Sequence, residues 1–271
     1  MQTYNSITSM IFGPLLGWFG GFSAWIDILF WSILGGIVAL LVYKMVSNQK
    51  GIEKAKNDIK VHLMEIRLFQ DDILGVLVST GKILGKNLLY IGHNVVPMIV
   101  MFVPMMTILF QLEAHYAFDP IEPGSTQVLT VKMDPESDVS SADVRLDVPA
   151  GVTLTAPPVP APDGVAFRIR VDEPGDHVVT VGVGDQSYDK GLAVGGEPRR
   201  VPFLRTKSWE GFLYPGEDAL PSDAAISEIR VAYPASDLGW MPGGELGILL
   251  TFFIVSIGAG LALKGVFGVT L

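Results

Sequence analysis

Three apolar runs, residues 26–43, 95–112 and 246–263, constrain this chain more than any other feature. A bilayer core about 30 Å thick takes roughly 20 apolar residues of helix, so each run reads as a transmembrane helix. The charges between them orient the set. Residues 44–93 hold eight Lys and Arg, and residues 1–25 hold none. Short cytoplasmic loops accumulate Lys and Arg, which places 44–93 inside and the N-terminus outside. Residues 113–245, with 22 acids against 10 bases, then fall outside, and the third helix returns to the cytoplasm.

The expected organisation is an outer interfacial segment (1–25), a first membrane helix (26–45) and a cytoplasmic coiled coil (46–86). A second membrane helix (87–112), an outer β domain (113–245), a third helix (246–264) and a short cytoplasmic tail (265–271) follow. A 49% hydrophobic content suits such a half-embedded chain. The opening lacks a basic stretch and a small-residue cleavage pattern, so the first helix is expected to be retained rather than removed as a signal peptide. Cysteine is absent, which excludes disulfides, zinc–cysteine sites and thiol chemistry. No basic stripe with interleaved aromatics suggests nucleic acid. Trp18, Phe19, Phe22 and Trp25 suit a membrane interface, and membrane lipids are therefore expected partners.

The 46–86 segment has a heptad. Ile52, Ile59, Ile66 and Ile73 recur every seven residues. Ala55, Phe69 and Val76 fill the offset three later, with His62 as the exception, and Leu63 and Leu77 fill the offset four later. Such a seam buries itself against another helix. Two arrangements fit: a hairpin turning near 70–75 or near 79–82, and a single helix paired with another chain. Asp71, Asp72, Gly75 and Gly81 favour the hairpin.

In the first membrane helix, Gly35 and Gly36 permit a neighbouring helix to approach closely. The second carries Pro97 and Pro104, each of which removes a backbone donor and should bend it. Met98, Met101 and Met105 offer a flexible greasy face for a partner helix. Polar residues near the span ends are Asp27, Lys44, Asn87, His93, Asn94, Gln111 and Lys264. Lys44, Asn87, His93 and Asn94 gather at the cytoplasmic end and are the candidates for lining a hydrated groove.

The outer domain reads as alternating strands at 127–133, 143–148, 165–171, 177–183, 187–194 and 226–233, divided by Pro- and Gly-rich turns. This spacing suits an immunoglobulin-like β-sandwich. Residues 197–225 look irregular, with Trp209, Phe212 and Tyr214 packing back on the sheet or the membrane.

Catalytic constellations are missing from the pattern. The four histidines, His62, His93, His115 and His177, fall in three compartments of this topology. No Gly-x-Ser-x-Gly, phosphate loop or Asp-rich calcium loop occurs. No enzymatic activity, cofactor or metal is expected.

The order of an interfacial segment at 8–25, a spanning helix at 26–45, a charged helical hairpin at 47–85, and spanning helices at 87–112 and 246–264 resembles the YidC-type membrane insertase superfamily. That resemblance covers about half the chain and rests on layout and charge. It implies a three-helix core with a cytoplasmic hairpin, and nascent membrane proteins as partners. Those insertases commonly carry a basic residue inside the first core helix; residues 28–43 here hold none, and Lys44 sits at the mouth. They also join the second and third helices by a short helical hairpin, where this chain has a β domain. The run from Ser47–Gln49 through Leu63–Phe69 and the ending Leu263–Leu271 also resemble a family of bacterial membrane proteins, which adds no function. The expected role is a non-enzymatic accessory or scaffolding subunit of a bacterial inner-membrane complex, bound to other membrane subunits. The alternative is a YidC-like insertase or assembly factor.

The topology is testable because the chain has no cysteine of its own. Asn57→Cys should be shielded from an impermeant thiol reagent in intact spheroplasts, and Asp163→Cys should label. The opposite pattern would invert the orientation.

Overall fold

A computed structural model describes residues 10–12, 14–16, 23–135, 143–197, 199–208, 211 and 216–269. Trp18, Phe19, Phe22, Trp209, Phe212 and Tyr214 lie outside the described residues, so the readings placed on them are not addressed. The element order is α1 (Ala24–Val46), α2 (Gln49–Leu68), α3 (Ile73–Tyr116), nine strands and α4 (Gly244–Leu263). Of these, α1, α3 and α4 are long and apolar enough to cross a membrane. The chain divides into two compact units, Met1–Leu29 with Leu109–Phe252, and Phe30–Ile108 with Phe253–Leu271.

In the second unit, α2 and α3 form an antiparallel hairpin. Asn48 caps α2 by accepting the Gly51 N–H at 3.0 Å, and Asp72 caps α3 by accepting the Gly75 N–H at 3.1 Å. These side chains satisfy backbone donors that a helix start leaves open. Cross-helix contacts fix the register. Lys86 pairs with Asp58 at 2.7 Å, the Ser79 hydroxyl donates to Glu65 at 3.0 Å, and the Lys56 ammonium lies 5.7 Å from the centre of the Tyr90 ring. Partners move back along α3 as they advance along α2, as antiparallel helices require. The turn is Phe69–Asp72, at the earlier of the two expected positions.

The heptad is only partly used. Ile52 and Ala55 are buried, and Ile59, His62 and Ile66 are half-buried. His62 interrupts the apolar pattern because its ring joins Glu65 at 2.8 Å, beside the Ser79 bond. Hydrogen bonds from His62 and Ser79 hold the Glu65 carboxyl below its ordinary range. Ile73, grouped with the seam by its spacing, is 84% exposed, because it is the first residue of α3, past the turn. Leu63, Phe69 and Leu77 are also exposed. The boundary expected between residues 86 and 87 falls inside α3, a single helix of 44 residues that continues through Pro97 and Pro104. At 1.5 Å per residue it is about 66 Å long.

The β region belongs to the first unit. One sheet has the order β3-β5-β1-β9-β8, with β4 also on β5; the other is β2-β6-β7. All their pairings are antiparallel. The six expected strands correspond to β1 (Ser125–Met133), β2 (Val144–Asp147), β5 (Gly164–Val171), β6 (Gly175–Val183), β7 (Gln186–Val194) and β9 (Ile226–Val231). Three short strands were not foreseen: β3 (Val152–Leu154), β4 (Val159–Ala161) and β8 (Leu204–Thr206). The first lies just past the Pro149–Gly151 turn, the second within a Pro-rich turn and the third in the stretch read as irregular. Leu129, Val131, Phe167, Ile169 and Ile229 of the larger sheet share one core with Leu146, Val179, Val181 and Leu192 of the smaller. Gly184 and Asp185 join β6 to β7, and Gly184 has a φ of +57°, which suits a two-residue hairpin turn.

Lys190 is the charged side chain built into this core. It takes an inward position on β7, fully buried, and donates to the Glu217 carboxylate and the Pro202 carbonyl. Glu217 also accepts the Gly191 N–H at 2.6 Å. Burial pushes the Lys190 ammonium down to about 8, against the pull of Glu217. A buried pair is costly to break and cheap to replace whole. Lys190→Met should therefore lower the stability of the β region by about 3 kcal/mol or more, whereas Lys190→Met with Glu217→Leu should recover most of that loss. Denaturant unfolding of the full chain in detergent, read by proteolysis within residues 143–231, compares the two.

Candidate intramembrane groove

Three helix segments of the second unit surround a cavity of about 520 Å³. α1 contributes Gly36, Ala39, Leu40 and Tyr43. α4 contributes Ser256, Ile257, Gly260 and Leu261, and α3 lines the rest from Tyr90 to Met105. The helices meet closely because of glycine. A Cβ placed on Gly36 would stand 2.4 Å from the Ser256 carbonyl oxygen, nearer than any real contact. A Cβ on Gly260 would meet Leu40 at 3.9 Å. The cavity opens at one side, where Ile91, Met98, Ile257 and Leu261 are more than half exposed, and closes toward buried Met105.

Polar groups at the cavity bond to the helices rather than to its interior. The Tyr43 hydroxyl donates to the Asn94 amide oxygen, and the Asn94 amide nitrogen donates to the Tyr90 carbonyl at 2.7 Å. The Ser256 hydroxyl donates to the Phe253 carbonyl at 3.3 Å. In a bilayer every such group needs a partner. Apart from these and Tyr90, the remaining lining is Met, Leu, Ile, Val, Ala and Gly. This surface can hold an apolar helix or an acyl chain by dispersion and shape. It offers no charged side chain, and no group of three or more His, Cys, Asp or Glu that could hold a metal occurs among the described residues.

Of the four residues expected to line a hydrated groove, Asn94 alone reaches this cavity. Lys44 instead donates to the Phe267 carbonyl at 2.7 Å, tying the end of α1 to the turn that follows α4. His93 points toward the start of α2, its ring 3.0 Å from where Gly51 would carry a Cβ. Asn87 is half-buried, away from the lining. Met98, Met101 and Met105, expected as a partner-helix face, all line the cavity. Thus Asn94, from the polar set, and the methionines share one site. Residues 265–269 are more than a tail. Val269 is buried with Leu40, Tyr43 and Ile52, beside Tyr90, Met101 and Phe267. The apolar Phe267 and Val269 were the available signal for that contact. Nothing in the sequence pairs Tyr43 with Asn94, because 51 residues separate them.

The polar ends of the spans in the first unit are also paired. Buried Asp27 accepts from the Tyr116 hydroxyl, and Arg200 donates to buried Gln111 at 2.6 Å. Trp25, expected at a membrane interface, meets Trp240 edge to face at 5.9 Å.

Compared with known families, curated proteins and solved structures, the chain matches no family model, no curated protein and no solved structure.

Gly36→Ala should open the contact between α1 and α4. Overpacking of this kind costs about 1–3 kcal/mol, so the melting temperature in detergent should fall. Gly258→Ala, whose Cβ would meet nothing within 4 Å, should leave it unchanged or slightly raised.

Proposed function

We propose that this chain is a non-enzymatic accessory or scaffolding subunit of a bacterial inner-membrane assembly, and that its groove seats an apolar membrane helix. One observation carries the reading. The Tyr43, Asn94 and Ser256 side chains at the groove are bonded to the chain itself, and what remains, apart from Tyr90, is a methionine-lined apolar slot with an open side. Flexible thioethers adapt to an irregular helix surface. An apolar occupant gains dispersion contacts there, whereas a polar segment would find few partners.

The orientation proposed with this function follows the Lys and Arg asymmetry: hairpin in the cytoplasm, β region outside. We read the β region as an immunoglobulin-like sandwich that docks to other subunits. Two antiparallel sheets over a common core support that reading.

A YidC-like insertase is the second reading, favoured by the sequence of spanning helix, charged hairpin and two further spanning helices. Against it, Lys44 is occupied by the Phe267 carbonyl and does not line the groove. A photo-crosslinking amino acid at position 101, incorporated in native membranes, separates the readings. A scaffolding subunit should give one adduct of constant mass that persists after translation stops. A ladder of ribosome-dependent adducts that vanishes on chase would establish the insertase.

A further inference from the structure

Helix α3 carries two seams, and the hairpin uses one. Ser79, Lys86 and Tyr90 lie on the side that faces α2. On the other side stand Leu74, Leu77, Gly81, Leu84 and Leu88, spaced alternately three and four residues apart. Ile91, Val95, Met98 and Phe102 continue the alternation without a break. Apart from Gly81, each is between 44% and 75% exposed. An apolar heptad sustained over four repeats is the signature of a helix that wraps a second helix. Lipid does not explain it: Leu74 to Leu88 precede the apolar run at 95–112 and lie in the charged hairpin.

Glycines on the same side point to a close neighbour. A Cβ on Gly81, Gly85 or Gly92 would meet nothing within 4 Å. Packing within the chain therefore does not require glycine at any of them, and glycine weakens a helix interior. Small residues at this spacing let a second backbone approach.

The flanks identify the occupant. In a coiled coil, charges beside the seam choose the partner. Here the flanking positions, from Ile73 and Val78 to Ile99 and Met101, hold no Asp, Glu, Lys or Arg. Nothing selects an oppositely charged helix, and nothing repels an identical one. Two copies inserted in one membrane are held parallel, so at zero stagger each layer meets itself, Leu on Leu and Gly81 on Gly81. The exposed surface of the eight larger side chains is on the order of 800 Å² per copy, the share one partner contributes to an interface of standard size. We infer that two copies of this chain pair in parallel along this seam of α3, the helix of the second copy lying over the open side of the groove at Ile91 and Met98. The inference rests on the groove as a helix-binding site and names its occupant.

The test uses the full-length chain, purified and placed in nanodiscs. Leu77→Cys, Leu84→Cys and Met98→Cys should each form disulfide dimers under mild oxidation, at least tenfold faster than Lys82→Cys on the neighbouring face. A mixture of Leu77→Cys and Leu84→Cys chains should give almost no mixed dimer, as zero stagger requires. Leu84→Glu should lower the dimer fraction at least tenfold by native mass spectrometry with the helix content unchanged. A monomeric mass for the unaltered chain, or equal rates at positions 82 and 84, would overturn the pairing. Dimers at position 84 but not at 98 would overturn its extension over the groove. If position 84 gives no dimer while the crosslinker at 101 captures a foreign helix, the pairing fails and the groove reading stands. If neither gives a product, both fail.

Discussion

The unbroken helix from Ile73 to Tyr116 is the constraint on which the rest depends. Its backbone must satisfy its own donors and acceptors wherever water is absent, and a helix is the means of doing so. Pro97 and Pro104 each withhold one N–H from that ladder, yet the helix runs on. Asn94 and Thr107 add side-chain bonds to carbonyls one turn back, at Tyr90 and Val103. Because the helix does not break at residue 87, the hairpin arm and the groove wall share one rigid register. A side chain at position 79 that bonds to α2 therefore fixes the face that residues 98–105 turn toward the groove.

The groove is apolar through bonding as much as through composition. Tyr43 and Asn94 would make a wet site if their polar atoms faced the cavity. Instead each is committed to a neighbouring helix, and Lys44 is committed to the turn after α4. The same bonds clip α1 to α3 and to the C-terminal residues. The lining is thus mostly apolar for the same reason that its helices hold together, and freeing its polar atoms would require giving up those clips. Gly36 sets the remaining dimension by letting α1 reach the Ser256 backbone.

The β region follows different physics. With no cysteine, its two sheets rely on a shared hydrophobic core and on the buried Lys190–Glu217 pair. The pair links β7 to the segment between β8 and β9, and the Gly191 N–H fixes its geometry. A fully buried ammonium is tolerated because both a carboxylate and a carbonyl receive it.

Period and composition alone indicated the three apolar helices, a heptad segment that allowed a hairpin turning near 70–75 among other arrangements, and six of the nine described strands. These are local properties: a helix of sufficient apolar length, or an alternating strand, is written in consecutive residues. The three short strands escaped because strands of three residues hold too few positions to show alternation. The heptad announced a seam but not its extent, since Ile73 fits the spacing and is nevertheless past the turn. Tertiary structure decided the site. Lys44, Asn87, His93 and Asn94 are equally polar and close in sequence or compartment. Only the rotation of α3 against α1 and α4 sends Asn94 toward the groove and His93 toward α2. That rotation is held by contacts such as the one between Tyr43 and Asn94, across 51 residues. No pattern in neighbouring residues encodes it, because it is set by which side chains can satisfy one another once the helices are packed.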